Sequence, residues 1–404
     1  MQKNSPLSPR KQLYFLTVVH TVIDSYATVL PHLLPLLLKK LASQTAARNS
    51  LAGIIISVYS TFSSLGQIFF GWASDRFQTL HFVTFGVAFT AIALSLLGIA
   101  PSLFVALVLL GIGGCGVAAF HPKATSQAAA LASGERGFAI SIFLTGGNIG
   151  RGLGPLVIMY LVVYRYGLES MPWCMSAGVL IALLIPKVLK TPSPAAVNVS
   201  SQVVAAPTNG SAQRKNLWGA IHPHWQPLLV LYLLSVVRTI TGIGLENFLS
   251  LYLDDLQYSN LARSGVIGLF IFAASMGIMV GGSLSDRINY YGLLLFSFIA
   301  SVPLLYISLH STGGTFLILL LLGNFVLSSS TTINIVLAQR LLPEHENIAS
   351  SFMMGAAWSI GGLLSIPVGI LGDHFGLARV LDGLVILPLI TVVLIPLLKQ
   401  KYAR

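Results

Sequence analysis

Apolar residues in this chain come in long, nearly unbroken runs, not in the short alternations of a half-buried strand. Twelve runs reach about 20 residues, the length a helix needs to cross the hydrocarbon of a bilayer. Their limits are 12–38, 50–73, 80–100, 102–131, 136–163 and 170–189, then 224–253, 261–285, 291–309, 314–341, 346–371 and 378–398. All twelve are expected to be helices, because backbone polar groups in lipid must be satisfied within their own segment. The shortest gap, at Pro101, predicts a tight turn or a kink.

The apolar pattern stops between 191 and 223. Pro192, Pro194, Pro207, Asn209 and Gly210 stand there among small and polar residues, as in a flexible linker. The chain therefore divides into a first bundle at 1–190, a linker at 191–223 and a second bundle at 224–404. A repeat supports the division. Gly71-Trp72-Ala73-Ser74-Asp75-Arg76 follows the second run and Gly282-Ser283-Leu284-Ser285-Asp286-Arg287 follows the eighth. A weaker copy, Gly369-Ile370-Leu371-Gly372-Asp373-His374, comes after the eleventh. Val18-Val19-His20-Thr21 in the first run is echoed by Val236-Val237-Arg238-Thr239 in the seventh. Duplicated halves in a hydrophobic chain are a mark of secondary transporters. The fold class expected is an all-α membrane protein, with twelve transmembrane helices in two pseudo-symmetric six-helix bundles.

Composition sharpens this. The chain is 55% hydrophobic and 9% charged, against about 25% charged for a soluble domain. Most of its surface must face lipid, so membrane lipids are expected partners. The net charge of +11 comes from single basic residues scattered between apolar runs, so nucleic acid is not an expected partner. Those residues read as topology signals. Fourteen Lys and Arg fall on the side of the two termini and six on the other, which predicts cytoplasmic termini and linker. The protein is expected in the cell inner membrane, as a monomer. The run at 13–38 is too long for a signal-peptide core and carries His20 and Asp24, so it reads as a retained first span. The two cysteines lie in apolar runs and suggest no disulfide framework; nothing in the chain resembles a metal site, and no cofactor is implied. Nor is there a nucleotide-binding loop or an appended catalytic domain, so an enzyme is not expected.

With these residues in view, the chain resembles the major facilitator superfamily: twelve spans, a central linker and Gly-x-x-x-Asp-Arg after spans two and eight. Phe120-His121-Pro122, then Gly146-Gly147-Asn148, Gly150 and Gly154-Pro155, look like the fosmidomycin resistance family of drug exporters. Lys123 and Arg151 depart from that family's pattern, and both add positive charge. The resemblance implies that spans one, four, seven and ten line a central cavity, with span five contributing. It implies that Asp75 faces the start of span eleven and Asp286 the start of span five, where free amides and the helix dipole favour an anion. Asp75, Arg76, Asp286 and Arg287 are then a cytoplasmic latch that breaks on opening. It also implies that the glycine–proline stretch of span five seals an antiport-type helix pair.

Charges inside spans are costly unless paired or facing a cavity, and so point to function. Asp24 and Glu246 are the candidate proton-coupling groups. His20, His121, Lys123, Asn148, Arg151, Arg238 and Asn324 are the candidate substrate contacts. His20 lies one turn from Asp24 on the same face, and an ion pair of Asp24 with Arg151 or Arg238 is one expected arrangement. His32 and Glu246 are otherwise read as near the outer interface, and Trp358 as packing. The functional expectation is a proton-coupled exporter of small organic or antibiotic-like molecules, some anionic. The alternatives are a proton-linked importer or facilitator of a metabolite anion, and a non-transporting scaffold or sensor. Five ionisable groups kept in lipid argue against the scaffold.

Overall fold

The structure is a computed structural model that describes residues 7–41, 47–77, 79–131, 136–189, 217–285, 289–343, 349 and 352–398. All regular structure among them is helical. The helices of the first half are α1 (Pro9–Leu41), α2 (Arg48–Phe77), α3 (His81–Ile99), α4 (Leu103–Ala130), α5 (Arg136–Ile158, carried on by a π turn at Met159–Val163) and α6 (Leu168–Val188). The second half has α7 (Trp225–Asp255), α8 (Asn260–Ser285), α9 (Tyr290–Leu309), α10 (Gly313–Leu341), α11 (352–375) and α12 (Leu377–Leu398). Eleven of the twelve are long and apolar enough to cross a membrane. The turn expected at Pro101 is present, with α3 closing in a 3-10 turn at Leu97–Ile99. Of the expected linker, 191–216 lies outside the described residues. The remainder begins helically at Leu217–Ile221 and runs through His222–His224 into α7.

α11 is interrupted, as α1 and α10 also are. Its pieces are Phe352–Ala356, Ala357–Leu363 and Ser365–Phe375. Pro367 has no N–H for the carbonyl of Leu363, four residues back. Ser57 Oγ of α2 reaches that carbonyl at 3.3 Å and the Gly362 carbonyl at 2.6 Å. The same solution recurs. Pro31 leaves the Ala27 carbonyl free where α1 breaks, and Tyr59 Oη donates to it at 2.7 Å. Pro155 frees the Arg151 carbonyl, which accepts from Thr28 Oγ1 at 3.2 Å. Pro388 frees the Leu384 carbonyl, which accepts from Thr241 Oγ1 at 3.0 Å. At these four prolines a hydroxyl on a neighbouring helix meets the carbonyl left without its backbone donor, a substitution that suits lipid because water is absent.

α10 bends for a different reason. Its helix runs stop at Ser328 and resume at Thr331. Ser329, Ser330 and Thr331 turn their hydroxyls back on the carbonyls of Val326, Leu327 and Ser328, competing with the helix ladder.

With twelve helices between them, the start of α1 and the end of α12 fall on one face of the bundle, here the terminal face. At the opposite, far face the two halves are joined. Arg48, at the start of α2, pairs with Asp254 at 2.5 Å and Asp255 at 2.7 Å at the end of α7. Arg263 of α8 pairs with the same Asp254. Asp373, in the weak third copy of the repeat, accepts from the amides of Asn49 and Ser50 at 2.9 and 2.8 Å. It thereby caps the first turn of α2, where free N–H groups favour a carboxylate. Tyr164 Oη of α5 bonds the Asn260 carbonyl and Ser264 Oγ of α8 at 2.7 and 2.5 Å. A common apolar core of α1, α2, α7, α8 and α10 residues fills the space behind these contacts, including Leu33, Leu34, Phe248, Leu249 and Phe270.

Candidate functional site

Two polar clusters stand in the middle of the bundle. The first is built by α1, α4 and α5. His20 and Asp24 sit one turn apart on α1, each about 5% exposed. His20 Nε2 lies 3.3 Å from Asp24 Oδ2, and His121 Nε2 of α4 lies 3.4 Å from Oδ1. The His20 ring stacks on Phe143 at 4.1 Å between centroids and meets His121 edge-on at 5.3 Å. Its Nδ1 is 2.8 Å from the Phe143 carbonyl. A carbonyl only accepts, so that nitrogen carries a proton. The α5 helix can come this close because Gly147 has no side chain. A Cβ there would stand 2.5 Å from His20 Cε1 and 2.9 Å from Asp24 Oδ2.

The second cluster crosses between the halves. Arg151 of α5 lies 3.9 Å from Glu246 of α7 and sits over the Trp358 ring of α11 at 5.8 Å from its centroid. The Arg151 side chain is 29% exposed and that of His121 is 25%. Both therefore keep part of their surface accessible within the bundle.

Arg238 is buried on α7 and donates from Nη1 to Thr331 Oγ1 of α10, while its Nε has no partner. Asn334, one turn on from Thr331, donates to Ser235 Oγ at 3.0 Å.

These placements revise several expectations. Asp24 pairs with two histidines, not with Arg151 or Arg238, because both arginines are drawn to partners on other helices. Glu246 is not an interfacial group but the partner of Arg151. Asn324, expected in the cavity lining, is 2% exposed and donates to the Phe270 carbonyl of α8 at 2.8 Å, so its amide serves packing. Lys123 is buried at 3% and Asn148 is half-buried. His32 is buried between the halves rather than at an interface, with neither ring nitrogen hydrogen-bonded. Of the expected latch, Arg76 is exposed; the side chain of Asp75, and all of Asp286 and Arg287, lie outside the described residues. Sequence reasoning missed the Arg48–Asp254–Asp255 group and the cap made by Asp373. The signal for the cap was present in the third copy of the repeat. Trp358 gave no signal that it would lie beneath a cation.

A separate groove of 780 Å³ opens between α2, α3 and α4, lined by Phe62, Phe70, Phe82, Phe85, Phe89 and Phe104 among others. It is apolar and contains none of the charged groups above.

Membrane-length apolar helices packed around a charged centre are the architecture of a membrane carrier. The chain belongs to the Major Facilitator Superfamily, whose profile matches residues 15–366. It is 26% identical over 344 residues to the fosmidomycin resistance protein of Escherichia coli K12, covering 84% of this chain and 81% of that one. It is 26% identical over 383 residues to the uncharacterised MFS-type transporter YfnC of Bacillus subtilis 168, covering 94% and 90%. Among solved structures it resembles a bacterial homologue of the human lysosomal transporter Spinster, with a TM-score of 0.82 at 15% identity over 99% of this chain and 98% of that one. That likeness is one of fold. The protein is a multi-pass membrane transporter of this superfamily, with a small-molecule substrate.

Proposed function

We propose that this transporter resides in the cell inner membrane and exports small organic molecules, some anionic, in exchange for protons. The observation that carries the reading is the His20–Asp24 contact. His20 Nδ1 is committed to the Phe143 carbonyl, so its Nε2 and the Asp24 carboxylate meet as two acceptors unless a cation lies between them. A proton fills that place, either as an imidazolium or as a carboxylic acid. It is loaded from the terminal side through the partly exposed His121. The excess of Lys and Arg there makes that side the cytoplasm.

The solute binds at Arg151, Glu246 and Trp358, with Asn148 on the same face of α5. Glu246 holds Arg151 loosely, at 3.9 Å. An anionic group on the solute displaces it, using the fork of donors that suits carboxylate and phosphonate. The two sites communicate through α5, which presents Phe143 and Gly147 to the proton cluster and Arg151 to the solute. Alternation then requires the far face to part and the cytoplasmic side to shut. The Asp75–Arg76 and Asp286–Arg287 loops would supply the closing contacts. The cap that Asp373 makes on α2 supports that role, since it is the same chemistry at the other face.

Export is supported by the name of the Escherichia coli relative, a resistance protein. One observation favours import instead. A proton gained by the cluster adds positive charge near Arg151, which favours binding the anion and the proton together. Proteoliposomes of known orientation separate the two. Phosphonates, organic acids and lipophilic drugs are screened first by counterflow, then under an imposed pH gradient. For the exporter, acid on the far-face side drives solute from the terminal side to the far side. The same gradient driving solute toward the terminal side would establish the importer. Transport indifferent to the gradient would overturn both.

A further inference from the structure

The cluster of His20, Asp24 and His121 has the donors and spacing of a metal site. We propose that it binds a first-row divalent transition-metal ion of the zinc or cobalt(II) class. The ion would be held by Nε2 of both histidines and by the Asp24 carboxylate. This rests on the geometry of the three side chains and not on the direction or coupling of transport.

Two imidazoles and one carboxylate suit zinc, cobalt and nickel, whereas magnesium and calcium prefer oxygen alone. Tetrahedral bonds of about 2.0–2.1 Å set neighbouring donors about 3.3–3.4 Å apart. His20 Nε2 lies 3.3 Å from Asp24 Oδ2 and His121 Nε2 lies 3.4 Å from the other oxygen, Oδ1, so a carboxylate that chelates with both oxygens meets each ring at that spacing. All three donor atoms lie within 4.8 Å of one another.

The surroundings fit as well. A ligating histidine commonly gives its other N–H to a carbonyl or carboxylate, which fixes its tautomer. The Phe143 carbonyl does this for His20 at 2.8 Å, and the Phe143 ring stacks on the imidazole. The Nε2 lone pair is thereby aimed at Asp24 with no donor facing it. On the α5 side the site is closed by the bare Gly147, which leaves room for no side chain. On the other side His121 is 25% exposed, which leaves part of the site accessible to a further ligand. A water molecule, or an oxygen donor of a chelating solute, completes the shell there. Metal and proton compete for the same lone pairs, so the ion is expected to stall a proton-linked cycle.

The test uses the full chain purified in detergent, with any affinity tag removed, titrated with cobalt(II) near neutral pH. The expected result is visible ligand-field absorption that saturates at one equivalent and is displaced by zinc. Asp24→Asn and His121→Ala each weaken cobalt binding by more than about tenfold. Arg238→Ala, which removes a charge but no ligand, leaves it unchanged. Gel filtration and thermal melting check that each variant is folded, and His121→Gln replaces the alanine variant if that one is not. Absence of the absorption in the native protein would overturn the proposal, as would equal cobalt binding in the folded ligand variants. Either failure leaves the proton reading intact, because the gradient assay contains no metal.

Discussion

Asp24 and its two histidines bring three ionisable side chains into contact inside the bundle. The Asp24→Asn variant removes an acceptor that faces both rings while keeping the shape of the side chain. Transport driven by a pH gradient is expected to fall to background, while solute exchange in counterflow survives. Unchanged gradient-driven uptake would move the proton site to Glu246. Arg151 and Arg238 differ in a way that their sequence positions hid. Arg151 faces water and a loosely held glutamate, whereas Arg238 is buried with Thr331. Arg151→Ala is therefore expected to weaken an anionic solute about tenfold or more, some 1.4 kcal/mol, and a neutral analogue much less. Equal losses for both ligands, read by binding to the purified protein, would make this arginine a helix tie. At this scale the sequence supplied the ionisable residues, since charge in an apolar run stands out. It did not supply their pairing, because which side chains meet depends on how three helices are rotated.

At the scale of the helix, hydroxyl–carbonyl contacts hold together a bundle interrupted by proline. Thr28, Ser57, Tyr59 and Thr241 each serve a carbonyl that a proline left without its donor. Such interhelical bonds are worth about 0.6–2 kcal/mol in membranes. Thr241→Val keeps the volume and removes the bond to Leu384, so a lowered melting temperature with transport preserved is expected. A melting temperature equal to that of the native protein would show that the carbonyl finds another partner. Gly150 is a harsher test. A Cβ there would lie 2.2 Å from the Thr21 carbonyl of α1, which is backbone and cannot rotate away. Gly150→Ala is expected to push α1 from α5 and to cost about 1–3 kcal/mol. Full stability and full transport in that variant would disprove the tight α1–α5 contact. The prolines, glycines and serine run were all visible in the sequence. Where each break fell was not: α11 breaks at Leu364, beside the carbonyl that Pro367 frees and a hydroxyl of another helix meets.

At the scale of the whole molecule, the far face is held by Arg48 with Asp254 and Asp255, by Asp373 on the first turn of α2, and by Tyr164 on α8. Opening must break them together. Loss of a helix cap costs about 1 kcal/mol, so Asp373→Ala should shift the conformational balance several-fold toward the far-open form. Spin labels at Tyr166 and Leu261, both exposed at the far ends of α5 and α8, would report a longer distance component. An unchanged distance distribution in Asp373→Ala and in Arg48→Ala would mean that these contacts do not set the balance.

The sequence by itself determined that the chain spans a membrane many times as helices, because bilayer thickness fixes the length of an apolar run. It also determined which residues carry charge into that environment, since each such residue is a costly exception to its run. Only the tertiary structure decided that Asp24 meets imidazole and not guanidinium, that Asn324 packs against α8, and that the third copy of the repeat closes the far face. Those outcomes turn on helix rotation and crossing, which many close contacts set jointly. No single stretch of sequence encodes them, because each contact joins residues that are far apart along the chain.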